Sequence, residues 1–168
     1  YVEPEYTSIH KDYKINLAWH AVAGTGGNDT FDSLVANTKG LTTISPTWFY
    51  LKDNEGNIES FASETYVNKA HERGLEVWGL VENMTGTDVS TFEVLSATTR
   101  RTNLIRNLMD QALTYHLDGI NVDFESLSTD TGEHFVQFLR ELSIACRKEG
   151  IVLSVDNYVP IGNTNHYN

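Results

Sequence analysis

The sequence predicts an α/β protein of parallel strands joined by helical crossovers, in about five βα units. Three observations predict it. Short apolar runs of strand type begin near residues 14, 41, 75, 117 and 151, giving spacings of 27, 34, 42 and 34 residues. Each gap holds one stretch with helical periodicity. Such a cadence means right-handed crossovers between parallel strands, and it fits the roughly 31 residues per unit of a closed eightfold barrel. Five units do not close a barrel, so either further units follow Asn168 or the sheet is open.

The first strand is read at Tyr13 to Trp19, Y-K-I-N-L-A-W, and the Gly-rich A-G-T-G-G-N-D after it as a flexible loop. That loop lacks the Lys-Ser/Thr of a phosphate-binding P-loop and the spacing of a dinucleotide fingerprint. A short helix over about Thr30 to Thr38 leads to a second strand, L-T-T-I-S-P-T-W-F-Y-L, closed by a tight hairpin turn in K-D-N-E-G-N-I. Ser63 is the expected N-cap of a helix to about Arg73, with Gly74 at its C′ position. The third strand is L-E-V-W-G-L-V, and Met84 to about Ser96 reads as a Thr/Ser-rich loop. A helix from Arg100 to His116 carries Ile105, Leu108, Ala112 and Tyr115 on one side. After the fourth strand, Asp130 and Glu133 have capping-box spacing. Phe135, Phe138, Leu139, Leu142 and Cys146 form the stripe of a helix ending at Gly150, and the fifth strand is I-V-L-S-V-D-N.

Composition narrows the function. With 40% hydrophobic and 21% charged residues the chain is an ordinary folded domain. Its net charge of -11, with no basic run, argues against nucleic acid and anionic membrane surfaces. No stretch approaches the roughly 18 apolar residues of a membrane span. The opening Y-V-E-P-E-Y lacks the features of a signal peptide, and a chain starting at tyrosine is expected to have been processed or cut from a longer one. Cys146, the sole cysteine, falls on a core stripe and is read as a buried thiol. The six histidines, His10, His20, His71, His116, His134 and His166, show no paired ligand spacing, so no metal or other cofactor is expected, and most are read as surface or cap residues.

The fourth strand carries the chemistry. Asp118 to Glu125 reads D-G-I-N-V-D-F-E, with Ile120, Val122 and Phe124 apolar and Asn121, Asp123 and Glu125 polar. A strand sends these sets to opposite faces, and residues two apart lie roughly 6.5 to 7 Å apart at Cα. Asp123 and Glu125 can therefore act on one small volume, as acid and stabiliser on a sugar bond. Acids at a strand end also serve as solvated or capping groups, so a bare D-x-E alone would be weak.

This run is longer, and it resembles the D-x-x-D-x-D-x-E signature on the fourth strand of glycoside hydrolase family 18, the chitinase family. The resemblance implies a TIM (β/α)8 barrel truncated here to about its first five βα units, with residues 1–168 the N-terminal portion of a single catalytic barrel. It implies Glu125 as general acid, its carboxyl raised in pKa by the neighbouring anion and partial burial. Asp123 would orient and stabilise an oxazolinium ion that the substrate's own 2-acetamido group forms. Asn121 stands where an aspartate often precedes the pair; an amide cannot share a proton, so Asp123 is expected to ionise more readily. Phe124, replacing a frequent tryptophan, should point away from the site.

Aromatic and polar residues at strand ends are expected to line sugar subsites, with core packing as the alternative for each: Trp48 and Tyr50, then Trp78, Glu82 and Asn83, then Asp156, Asn157 and Tyr158. The family's tyrosine after its sixth strand has no counterpart, so this segment alone is expected to be inactive. The segments I-S-P-T-W-F-Y-L-K-D-N-E-G, E-V-W-G-L-V-E-N and S-V-D-N-Y-V-P resemble the Gram-positive peptidoglycan and spore-cortex branch more than dedicated chitinases. That branch implies an N-acetylglucosamine-containing polysaccharide as partner and an extracellular, cell-wall or spore-associated location. A chitinase-like lectin that binds without turnover is the alternative, and a metal-dependent hydrolase a weaker one. The open edges of a part-barrel would favour self-association.

Overall fold

A computed structural model describes residues 9–84 and 88–157. Strands β1 (Leu17–His20), β2 (Thr43–Leu51), β3 (Ile58–Ser60), β4 (Glu76–Glu82), β5 (Gly119–Asp123) and β6 (Val152–Val155) are connected through helices α1 (Phe31–Ala36), α2 (Glu64–Glu72), α3 (Thr91–Ser96), α4 (Thr98–Thr114) and α5 (Gly132–Lys148). The sheet order is β1-β2-β4-β5-β6, parallel at every step, with β3 turned back antiparallel on β2. Strands in chain order with helices between them are the arrangement of a barrel wall.

Local chemistry explains the punctuation. Asp53 Oδ1 accepts from the N–H groups of Glu55 at 2.9 Å and Asn57 at 3.2 Å, which closes the β2–β3 hairpin. Gly56 in that turn has φ +80, and a Cβ there would lie 2.3 Å from the Arg100 carbonyl oxygen, so no other residue fits. Ser63 caps α2 through Tyr66 N–H at 3.3 Å, and Gly74 follows its end at φ +71.

Three local expectations are corrected. The Gly-rich loop is ordered: Thr25–Thr30 forms a 3-10 helix, and Asn28 ties it to β2 and to Phe61. The Thr/Ser-rich loop contains α3, capped by Ser90 and anchored by buried Val94 and Leu95. The Asp130–Glu133 capping box does not form. Asp130 lies in a 3-10 turn, Thr131 takes the N-cap position of α5 with no side-chain cap, and Ser128 Oγ bonds Thr131 Oγ1 at 2.8 Å instead.

The core lies between the sheet and its helices. Ile44, Phe49, Val77, Val81, Ile120 and Val122 meet Val67, Leu104, Leu108, Phe138 and Leu142 there, all buried. Each such side chain contributes about 1.5–3 kcal/mol of burial. Cys146 is in this layer, Sγ 3.8 Å from Met109 Sδ, and burial pushes its thiol up to about 12.

The opposite face of the sheet is the barrel interior. At its lower end Glu76 receives hydrogen bonds from Tyr13 Oη at 2.7 Å, Trp78 Nε1 at 2.9 Å and the Lys11 ammonium. Burial alone would raise the Glu76 carboxyl; these donors outweigh it and hold the group below its ordinary range. The same contact pushes the Tyr13 phenol up to about 12. Among the described residues no helix is long and apolar enough to cross a membrane.

Candidate active site

β5 delivers its two faces as the alternation requires. Ile120 and Val122 enter the core, and Phe124 stacks on Phe138 with ring centroids 5.6 Å apart and on Phe135 at 5.8 Å. Asn121 and Asp123 take the interior face. The strand ends at Asp123, so Glu125 stands on the loop just beyond it, with its side chain exposed to solvent.

Asn83, directly after β4, fixes that loop. Its Oδ1 accepts from Glu125 N–H at 2.8 Å and its Nδ2 donates to Glu125 O at 3.0 Å. The same Nδ2 donates to Thr91 Oγ1 at 3.0 Å, which ties the clamp to the start of α3. The next residue, Ser126, has φ 54, a left-handed conformation unusual for a side-chain-bearing residue. A built turn therefore presents Glu125.

Register sets the row at the mouth. Tyr50 pairs with Glu82, and Glu82 with Asp123. Val122 pairs with Val155, and Asp156 N–H donates to Val122 O at 2.9 Å, which brings Asp156 alongside Asp123. Three carboxyl groups from β4, β5 and the end of β6 thus line one edge, with Glu125 close by.

Burial acts on all three, and crowding on Glu82 and Asp123. Burial first, then the charges of Asp123 and Glu125, raise the Glu82 carboxyl above its ordinary value. Burial, then Asp156 and Glu125, raise Asp123. Burial raises Asp156 against the opposing hydrogen bond from Asn121. The expectation that Asp123 ionises more readily is thereby corrected. The carboxylate missing at position 121 is met by another, Asp156, from the adjoining strand, and Asp123 sits above its usual range.

The remaining candidates divide. Trp48 is fully buried on the helix side: its ring meets Tyr66 edge-on with centroids 5.0 Å apart, and its N–H donates to Asn28 Oδ1 at 2.8 Å. Trp48 alternates onto that side with Ile44, and the register shift between Thr47 and Phe49 sends Phe49 there as well and turns Tyr50 to the interior. Tyr50 shares the row with Glu82, but its hydroxyl donates to Thr47 O at 3.1 Å and its ring abuts Phe61. Trp78 is buried lower in the interior, over Gly119, where a Cβ would lie 2.6 Å from its ring; it does not reach the mouth. Asn157 is exposed, its Nδ2 donating to Val155 O at 3.4 Å. Tyr158 lies outside the described residues.

Two residues near the interior went unread in the sequence. Trp19, in register with Ser45, leaves its indole 59% exposed on the interior face of β1. Ser154 donates from Oγ to Asn121 Oδ1. His20 is the buried one among the described histidines, bonded to Tyr66 Oη at 2.7 Å and Thr30 Oγ1 at 2.8 Å. Among the described residues no group of three His, Cys, Asp or Glu side chains could hold a metal ion.

Comparisons with known proteins bear on the family and the fold. The Bacillus subtilis (strain 168) protein YdhD, named as a sporulation-specific glycosylase, is 26% identical over 117 residues, covering 68% of this chain and 28% of that one. The Bacillus cereus spore cortex-lytic enzyme SleL superposes with a TM-score of 0.71 at 22% identity, covering 83% of this chain and 34% of SleL. A chitinase from Chromobacterium violaceum ATCC 12472 gives 0.67 at 20% identity, over 84% of this chain and 44% of the chitinase. The chain spans less than half the length of each of these proteins. The fold is that of their barrels, seen over part of its circumference. The model of the glycosyl hydrolases family 18 matches residues 26–159, most of the 168-residue chain, and the chain belongs to that family.

Proposed function

We propose that this protein is a glycoside hydrolase that cleaves β-linked N-acetylglucosamine-containing polymers, peptidoglycan of the spore cortex or chitin, by substrate-assisted retaining hydrolysis. Residues 1–168 are the N-terminal portion of its single catalytic barrel. The observation that carries the reading is the placement of Asp123 and Glu125 at the C-terminal mouth of the interior face, the acid on a loop clamped by Asn83.

The chemistry follows from that placement. Glu125 protonates the glycosidic oxygen, and the 2-acetamido carbonyl oxygen attacks the anomeric carbon as the leaving group departs. Asp123, half-buried in the row, accepts from the acetamido N–H and stabilises the oxazolinium ion. Glu125, now a carboxylate, takes a proton from water, which opens the ion with retention. The partner is a saccharide: four acids at the mouth would repel the phosphate backbone of a nucleic acid. The names of YdhD and SleL support a spore- or wall-associated setting. The β1 and β6 edges, unpaired on their outer sides among the described residues, would make the isolated segment prone to self-association.

The test uses full-length protein with a chromogenic N-acetylglucosaminide and with peptidoglycan. Wild type should turn over at least one, and Glu125→Gln should lose roughly 10²–10⁴-fold in kcat. Binding without turnover by the wild type would establish the lectin alternative instead.

A further inference from the structure

Asn121 is 1% exposed, and both ends of its carboxamide are used. Ser154 Oγ donates to Oδ1, and Nδ2 donates to Asp156 Oδ2 at 2.7 Å. Neither bond goes to Asp123, although Asp123 is two residues along the same face. The amide reaches sideways across the β5–β6 pairing and holds a carboxylate whose own backbone is pinned by Val122 O at 2.9 Å. Position 121, where the resembling signature has an aspartate, thus serves here as an arm for an aspartate on the neighbouring strand.

We propose that Asp156 is the positioning residue that sets the charge state and acceptor strength of Asp123, and that Asn121 and Ser154 are the framework that holds it beside that carboxyl. This rests on the reading of Asp123 as the group that receives the acetamido N–H. Facing Asp123 are Glu82 from β4, Glu125 beyond β5 and Asp156 beyond β6, with Asn121 and Ser154 neutral beneath them. After burial, the charge of Asp156 acts on Asp123 ahead of that of Glu125. An anion beside Asp123 raises its affinity for a proton and strengthens it as an acceptor. Because Asp156 is itself half-buried and bonded on one oxygen, its position relative to Asp123 is fixed rather than averaged over rotamers.

The experiment is the pH dependence of kcat/KM in full-length protein. Asp156→Asn keeps an oxygen for the Asn121 amide, so the framework survives while the charge goes. Its acid limb should move to lower pH by on the order of one unit, and the double swap Asn121→Asp with Asp156→Asn should bring it back toward wild type. A limb that stays put in Asp156→Asn, or a swap that leaves it displaced, overturns the proposal. The Asp123 carboxyl is followed in parallel by carbon-13 NMR, which needs no turnover. Its titration should fall in Asp156→Asn and rise in Asn121→Asp, and no movement in either variant overturns the proposal. Wild type that titrates in this way but hydrolyses no polymer would sink the hydrolase reading alone.

Discussion

Asn83 grips the peptide groups on both sides of Glu125, with its carboxamide oxygen on the N–H at 2.8 Å and its nitrogen on the carbonyl at 3.0 Å. This residue was expected among those that touch sugar, and the structure uses it on the backbone instead. A catalytic carboxyl on a loop is only as well aimed as its main chain, and here the neighbouring strand end does the aiming. Asn83→Ala should lower kcat about 10²-fold with little change in KM, since a 1 Å misplacement costs that much. Steady-state kinetics separates the two, and a change confined to KM would return Asn83 to the sugar-contacting residues.

The crowded acids have a cost in stability. The Glu82 carboxyl lies above its ordinary value through burial and the charges of Asp123 and Glu125. A group with a raised folded-state pKa favours the fold at low pH, where it is protonated, and loses that contribution as pH rises through the raised value. Glu82→Gln should therefore raise Tm at pH 7 and give no gain near pH 4, where wild-type Glu82 is already protonated. Thermal denaturation at the two pH values checks it, and an equal gain at both would assign the effect to packing.

The lower interior is set by one missing side chain. Gly119 leaves room for Trp78, and a Cβ there would come 2.6 Å from the indole. The indole cannot swing away without breaking its bond to Glu76 at 2.9 Å. Gly119→Ala should destabilise by about 1–3 kcal/mol as overpacking does, seen as a lower urea midpoint with an unchanged slope. An unchanged midpoint would mean that β4 and β5 can part without loss.

The sequence carried the parity of β5 well, because a strand alternates with period two and Ile120, Val122 and Phe124 interrupt the polar set at every second place. It carried the hairpin and the end of α2 for the same kind of local reason: Gly56 and Gly74 both have positive φ. What it could not carry was set at a distance. The irregularity between Thr47 and Phe49 resets the facing of β2, so counting from Thr43 misplaces Phe49 and Tyr50. Helix α3 has six residues, too few for periodicity to show. The Asn121–Asp156 bond joins positions 35 apart, on strands whose pairing no local pattern reveals.

Trp48 turns that last lesson into a measurement. An aromatic at a strand end reads as a sugar platform, yet this one is fully buried and its N–H is committed to Asn28 in the 3-10 helix. Trp48→Phe keeps much of the ring volume but leaves Asn28 Oδ1 without its donor, which should cost about 1–3 kcal/mol in stability. KM for saccharide should stay within about twofold, because a side chain behind the wall exchanges no contact with substrate, a difference of under 0.5 kcal/mol in binding. Chemical denaturation and saturation kinetics on the same preparation decide between the two roles. A large rise in KM with unchanged stability would put Trp48 back in the subsite.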